Sequence, residues 1–118
     1  SIGRSGFQEV LRRGAVKSVL ESSRIAREAK LIEELFREIA KDGRAAYGRK
    51  EVETARNYGA IETLMVLDDL ARRGSLDEIM REVADARGRV VIFSSEFEPG
   101  DRLRSLGGVA ALLRFKIA

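Results

Sequence analysis

Residues 60–67, AIETLMVL, constrain this chain more than any other stretch. The first half alternates, and the second half, Leu64-Met65-Val66-Leu67, is apolar at every position. A strand with one wet face alternates, so a run that is apolar throughout reads as a strand covered on both sides. Two further short apolar runs share this character, RVVIF at 89–93 and VAALLRF at 109–115, and RAAYG at 44–48 suits a short strand. Helical patterns separate them. Residues 49–58 place Val52, Ala55 and Tyr58 on one face, closed by Gly59. Ser75 and Glu78 have the spacing of a capping box, which opens a helix through Ala86 with Leu76, Ile79, Met80 and Val83 inward. Pro99 takes a first-turn position in a two-turn helix anchored by Leu103 and Leu106.

Strands alternating with helices predict an α/β fold, a three-layer α-β-α sandwich with a mostly parallel sheet of about four strands. The segment EPGDRLRSLGG is close to the shortest crossover that parallel neighbours accept, with Gly107 and Gly108 turning the backbone from helix into strand. The longest helical pattern runs from about Ser23 to Lys41, with Ile25, Ala29, Ile32, Phe36 and Ile39 on one face. Before it, SGFQEVLRRG reads as a separate short helix with a Ser5–Gln8 capping box, a stop at Gly14 and a small stripe of Phe7, Val10 and Leu11. That stripe is too small to hold alone, so residues 1–20 are expected to be loosely held or covered by a neighbouring copy.

Composition narrows the chemistry. At 118 residues and 44% hydrophobic content there is material for one core. Cysteine, histidine and tryptophan are absent. No thiolate or disulfide chemistry is available, a zinc site would need carboxylates alone, and the usual neutral-pH proton shuttle is missing. No run is long enough to span a bilayer and no signal peptide opens the chain, so the expectation is a cytoplasmic protein without membrane contact. The net charge of +3 comes from residues 1–20, where Arg4, Arg12, Arg13 and Lys17 face only Glu9; the rest is balanced. Bulk charge is therefore poor support for a nucleic-acid grip.

Several clusters invite a functional reading. Asp68 and Asp69 end the buried strand, where open α/β sheets gather ligands, yet aspartates also cap turns. Ser94 and Ser95 end another strand, but as nucleophiles they lack a base, and strand-end hydrogen bonding explains them better. Glu96 and Glu98 suit acid–base work, the N-terminus of the following helix, or a partner contact, with Phe97 between them as an exposed aromatic. Arg72, Arg73, Arg102 and Arg104 form either a phosphate patch or a solvated face. No phosphate-binding loop is present.

AAYGRKEVETARNYGAIETLMVLDDLAR, followed by GRVVIFSSEFEPGDRLRSLGGVAALLRFKI, resembles the C-terminal domain shared by the Pelota and class-one peptide release factor family of archaea and eukaryotes. The specific pieces are Tyr47-Gly48, Gly59-Ala60 with Glu62-Thr63-Leu64, Ser94-Ser95-Glu96, Pro99-Gly100, and Leu106-Gly107-Gly108 with the run Ala110 to Arg114. The resemblance covers about residues 24–117, which gives 21–118 as the domain and 1–20 as a remnant of a preceding central domain. Only DDLARRGS follows the strand at 61–67, which leaves no room for the minidomain typical of release factors. That favours the Pelota branch. Phe97 departs from the family, which often has histidine there.

The resemblance implies a three-layer fold similar to kink-turn-binding ribosomal proteins and a role in ribosome rescue and mRNA surveillance. The implied partners are the ribosome, a translational GTPase of the elongation-factor type and an ABC-type recycling ATPase, with ribosomal RNA contact as an alternative. It implies no catalytic residue, metal or cofactor in this stretch. Any nuclease activity or divalent metal would belong to other domains of a longer protein. The expected contacts are Asp68, Arg72, Arg73, Glu96, Phe97, Glu98, Gly100, Gly107 and Gly108. Competing readings are a kink-turn type RNA-binding module, a release-factor domain, and a small hydrolase using Asp68 or Glu98.

Overall fold

The computed structural model describes residues 2–117, and the side chains of 12–117. Among the described residues the order is α1 (Ile2–Ala40), β1 (Ala45–Tyr47), α2 (Arg49–Asn57), β2 (Ile61–Leu67), α3 (Asp68–Arg73), α4 (Asp77–Asp85), β3 (Arg89–Phe93), α5 (Glu98–Ser105) and β4 (Val109–Leu113). The strands form one sheet in the order β1-β4-β2-β3.

β2 is buried at six of its seven positions, and β4 at all five, so both are sandwiched as their apolar runs predict. On one face α2 and α4 bring Val52, Ala55, Ile79 and Val83 onto Leu64, Val66, Val109 and Ala111. On the other face α1 and α5 bring Leu31, Ile32, Leu35 and Leu103 onto Met65, Leu67, Phe93, Ala110 and Leu112. Consecutive residues of β2 and β4 thus feed different cores, which is the period of two working on a sheet with two dry faces. The three layers are present.

The sheet is mixed, and this corrects the mostly parallel expectation. β2 and β3 are parallel, whereas β4 runs antiparallel to both β2 and β1. β4 starts at the same end of the strands at which β3 finishes, Phe93 pairing with Leu67 and Val109 with Val66. The chain then re-enters beside β2, where the Leu67 amide donates to the Gly108 carbonyl at 2.8 Å. Gly108 has φ +84, and a Cβ there would meet Leu70 Cδ1 at 2.6 Å. A glycine is what the tight re-entry demands.

Three helix boundaries also differ from the expectation. The stop at Gly14 does not exist: α1 is continuous from Ile2 to Ala40. A single interior glycine costs a helix only about 1 kcal/mol, which the rest of the helix absorbs. The Ser5–Gln8 box and the Phe7, Val10, Leu11 stripe lie outside the described side chains. Tyr58, expected inward, is 64% exposed. α2 ends at Asn57, so Tyr58 sits in the cap where helical periodicity no longer aims it. Ser75 does not cap α4, whose N-cap is the buried Leu76; the Ser75 carbonyl instead accepts from Arg49 at 3.0 Å.

Candidate functional site

The C-terminal ends of β2 and β3 and the start of β4 meet at one rim of the sheet. β2 passes directly into α3, which places Asp68 and Asp69 in the first turn of that helix rather than on the strand. Both acids there favour the positive end of the helix. Across the rim, the turn after β3 is fixed by its backbone amides. The Ser94 amide donates to Glu28 Oε1 at 3.1 Å, the Ser95 amide to Asp68 Oδ2 at 3.2 Å, and the Glu96 amide to Ser94 Oγ at 3.2 Å. α5 follows at once, with Phe97 as its N-cap residue and Pro99 in the first turn.

The arginines are largely satisfied by this arrangement. Arg104 Nη2 reaches Asp69 Oδ2 at 2.6 Å and Arg72 Nη2 reaches Asp69 Oδ1 at 3.0 Å. Arg102 lies 3.8 Å from Glu98 and 4.7 Å above the Phe36 ring. Neutralised guanidiniums make a weak phosphate site, which favours the solvated-face reading.

The hydrogen bond from Arg104 is the main reason that the Asp69 carboxyl is held below its ordinary value of 3.8, with partial desolvation opposing it. A depressed folded-state value stabilises the fold above the unfolded value and loses that contribution as pH falls through the folded one. The stability of the chain is therefore expected to drop as pH falls below about 4. Denaturation midpoints measured across that range should fall less steeply in Asp69→Asn than in the unaltered chain; identical acid limbs would remove Asp69 from the account.

The expected contact residues divide into two groups. Asp68, Arg72, Glu96, Phe97, Glu98, Gly100 and Gly108 share the rim, with Gly107 at its corner, exposed beside Gly48. Arg73 is exposed at the last position of α3, with no hydrogen bond or ion pair to the other rim residues among the described side chains. Glu96 and Glu98 are exposed, whereas Phe97 is half-buried rather than the open aromatic that its neighbours suggest. Gly100 and Gly108 are buried and serve close packing. Sequence reasoning missed Arg24 and Glu28. Glu28 is 1% exposed and accepts from Arg24 Nε at 2.7 Å, and Arg24 Nη2 donates to the Ile92 carbonyl at 3.0 Å. The available signal was a carboxylate three, four and seven residues before Leu31, Ile32 and Leu35, on the buried face, with an arginine one turn earlier. No group of three or more potential metal ligands occurs among the described residues. No described helix is long and apolar enough to cross a membrane.

Comparison with known proteins agrees with this geometry. The family model described as eRF1 domain 3 matches residues 25–117. A Pelota homolog of Methanothrix thermoacetophila is 67% identical over 99% of this chain and 34% of its own length. The crystal structure of Archaeoglobus fulgidus Pelota superposes with a TM-score of 0.86 at 50% identity, over 96% of this chain and 37% of that one. A model of ribosome-bound archaeal Pelota and ABCE1 superposes with a TM-score of 0.78 at 49% identity, over 98% of this chain and 33% of that one. The chain thus spans about a third of the length of the curated relatives it matches. With the family model covering most of its length and the three layers in place, the chain belongs to the eRF1 domain 3 family.

Proposed function

We propose that this chain is the docking domain of a Pelota-type factor that rescues stalled ribosomes in mRNA surveillance. Its partners are the ribosome, a translational GTPase and an ABC-type recycling ATPase, all in the cytoplasm. It breaks no bonds itself. The observation that carries this reading is the construction of residues 94–98. Three consecutive backbone amides are tied down, while the Glu96 and Glu98 side chains stand in solvent. A loop whose backbone is fixed before binding loses little conformational freedom on contact, which suits an acidic docking element. Likeness to a Pelota seen with ABCE1 on the ribosome supports an ATPase as the partner for it. The catalytic alternative has neither a histidine to serve as base nor a cysteine to serve as nucleophile. Release-factor membership is disfavoured by the short α3 connection between β2 and α4.

Charge reversal tests this directly. The double variant Glu96→Lys/Glu98→Lys should fold normally, since both side chains are exposed. It should lose retention of a purified ABC-type recycling ATPase by at least roughly tenfold, the scale of two rim charges reversed. Equal retention by the folded double variant would take this loop out of the interface.

A further inference from the structure

Glu28 is the one ionisable side chain among the described residues that is fully buried, and the docking reading leaves it without a role. We infer that Glu28 is a positioning residue: it ties the placement of helix α1 to the shape of the loop 94–98. The inference rests on the docking reading for its consequence in binding, and on geometry alone for its effect on the loop.

A buried carboxylate is retained only where hydrogen bonds satisfy it, and an apolar side chain of similar size would pack as well. Glu28 uses both oxygens on specific groups. Oε2 takes Arg24 Nε at 2.7 Å, and Oε1 takes the amide of Ser94, the first residue after β3. Arg24 continues to the Ile92 carbonyl, so the pair grips the end of β3 at two points. Ser94 Oγ then accepts the Glu96 amide. One unbroken sequence of hydrogen bonds therefore runs from α1 to the first exposed acid of the loop. Such bonds weaken within a few tenths of an ångström beyond their ordinary range. A small slide or rotation of α1 would release Ser94 while the apolar contacts of Leu31, Ile32 and Leu35 adapt. Residues 12–23 of α1 are exposed, so whatever grips that part of the helix acts on Glu28 from one to four turns away.

Amide hydrogen exchange and ATPase affinity, measured on the same proteins, test the inference. Glu28→Ala should speed exchange at the Ser94 and Glu96 amides by roughly tenfold relative to those of β2, about one hydrogen bond's worth. ATPase binding should weaken by a similar factor. Glu28→Gln retains an oxygen for the Ser94 amide but turns its amide nitrogen on the donor Arg24 Nε, so both readings should fall between those of Glu28→Ala and the unaltered chain. Should Glu28→Ala not fold, Arg24→Ala replaces it; Arg24 is 41% exposed, and its loss leaves Glu28 unclamped. Loop exchange that matches the unaltered chain in the folded variant would overturn the inference. If the unaltered chain does not bind the ATPase, the docking reading fails, and the exchange result still decides whether Glu28 shapes the loop.

Discussion

Gly100→Ala is expected to destabilise the chain by about 2–3 kcal/mol or more, the cost of overpacking a tight contact. The direction is the informative part. Gly100 lies in helix α5, where propensity alone says that alanine should stabilise by about 1 kcal/mol. It does not have a positive φ, so no backbone strain argues for glycine. What argues for it is space. A Cβ at Gly100 would collide with the Ser94 carbonyl oxygen and come within 2.8 Å of the Ser94 carbonyl carbon. Both are backbone atoms of the turn that Glu28 and Asp68 already hold, so they cannot swing aside as a side chain would. α5 must lift, and Leu103, buried in the core, lifts with it. Chemical denaturation should show the loss in the midpoint with an unchanged slope. A midpoint at or above that of the unaltered chain would mean that α5 does not rest on the 94–95 backbone.

Phe93→Ala should cost about 3–5 kcal/mol, the usual range for a buried phenylalanine. Phe93 is wholly buried and is the largest such side chain in the molecule's described part. It packs among Leu31, Ile32, Leu35, Leu103 and Leu67, where α1, α5 and the sheet converge. The loss should exceed that of a similar truncation at Val90 in the same strand, which is only partly buried. Because Phe93 ends β3 immediately before Ser94, the variant should also loosen the rim, visible as faster exchange of the Ser95 and Glu96 amides. A cost below about 1 kcal/mol, the level of a surface change, would contradict the described core.

Period was legible in the sequence, and direction was not. Leu64 to Leu67 announces two dry faces whichever way its neighbours run, because side-chain alternation is the same in parallel and antiparallel sheets. The reversal of β4 depends on where α5 lets the chain return, and no residue pattern encodes that. The inward sets of α2 and α4 were readable at Val52, Ala55, Leu76, Ile79 and Val83, since amphipathic helices repeat often enough to show their face. Errors gathered at helix ends. Gly14 and Ser75 carry the residue types of boundaries without the conformation of one, and Tyr58 lies one position beyond the last turn that would have buried it.

The rim was half legible for a related reason. Glu96 and Glu98 stand out because an acidic pair between two apolar runs is conspicuous. Asp69 and Arg104 are 35 positions apart and look like ordinary surface charges until the fold joins them. Glu28 is harder still, because its partner Ser94 is 66 positions away and its only mark of burial is its spacing to the apolar stripe of α1. Long-range polar pairing is a property of the tertiary arrangement, and only the apolar company of Leu31, Ile32 and Leu35 hints at it.

The proposed docking mode brings an ABC-type recycling ATPase against the rim. The most direct measurement is site-specific photocrosslinking in the assembled complex with the purified recycling ATPase on ribosomes. One probe replaces Glu96 on the rim, and another replaces Tyr58, which is exposed and lies beside the opposite end of β2. An ATPase adduct is expected from position 96 and none from position 58. An adduct from position 58 alone, with position 96 silent in a complex that has formed, would contradict that docking mode.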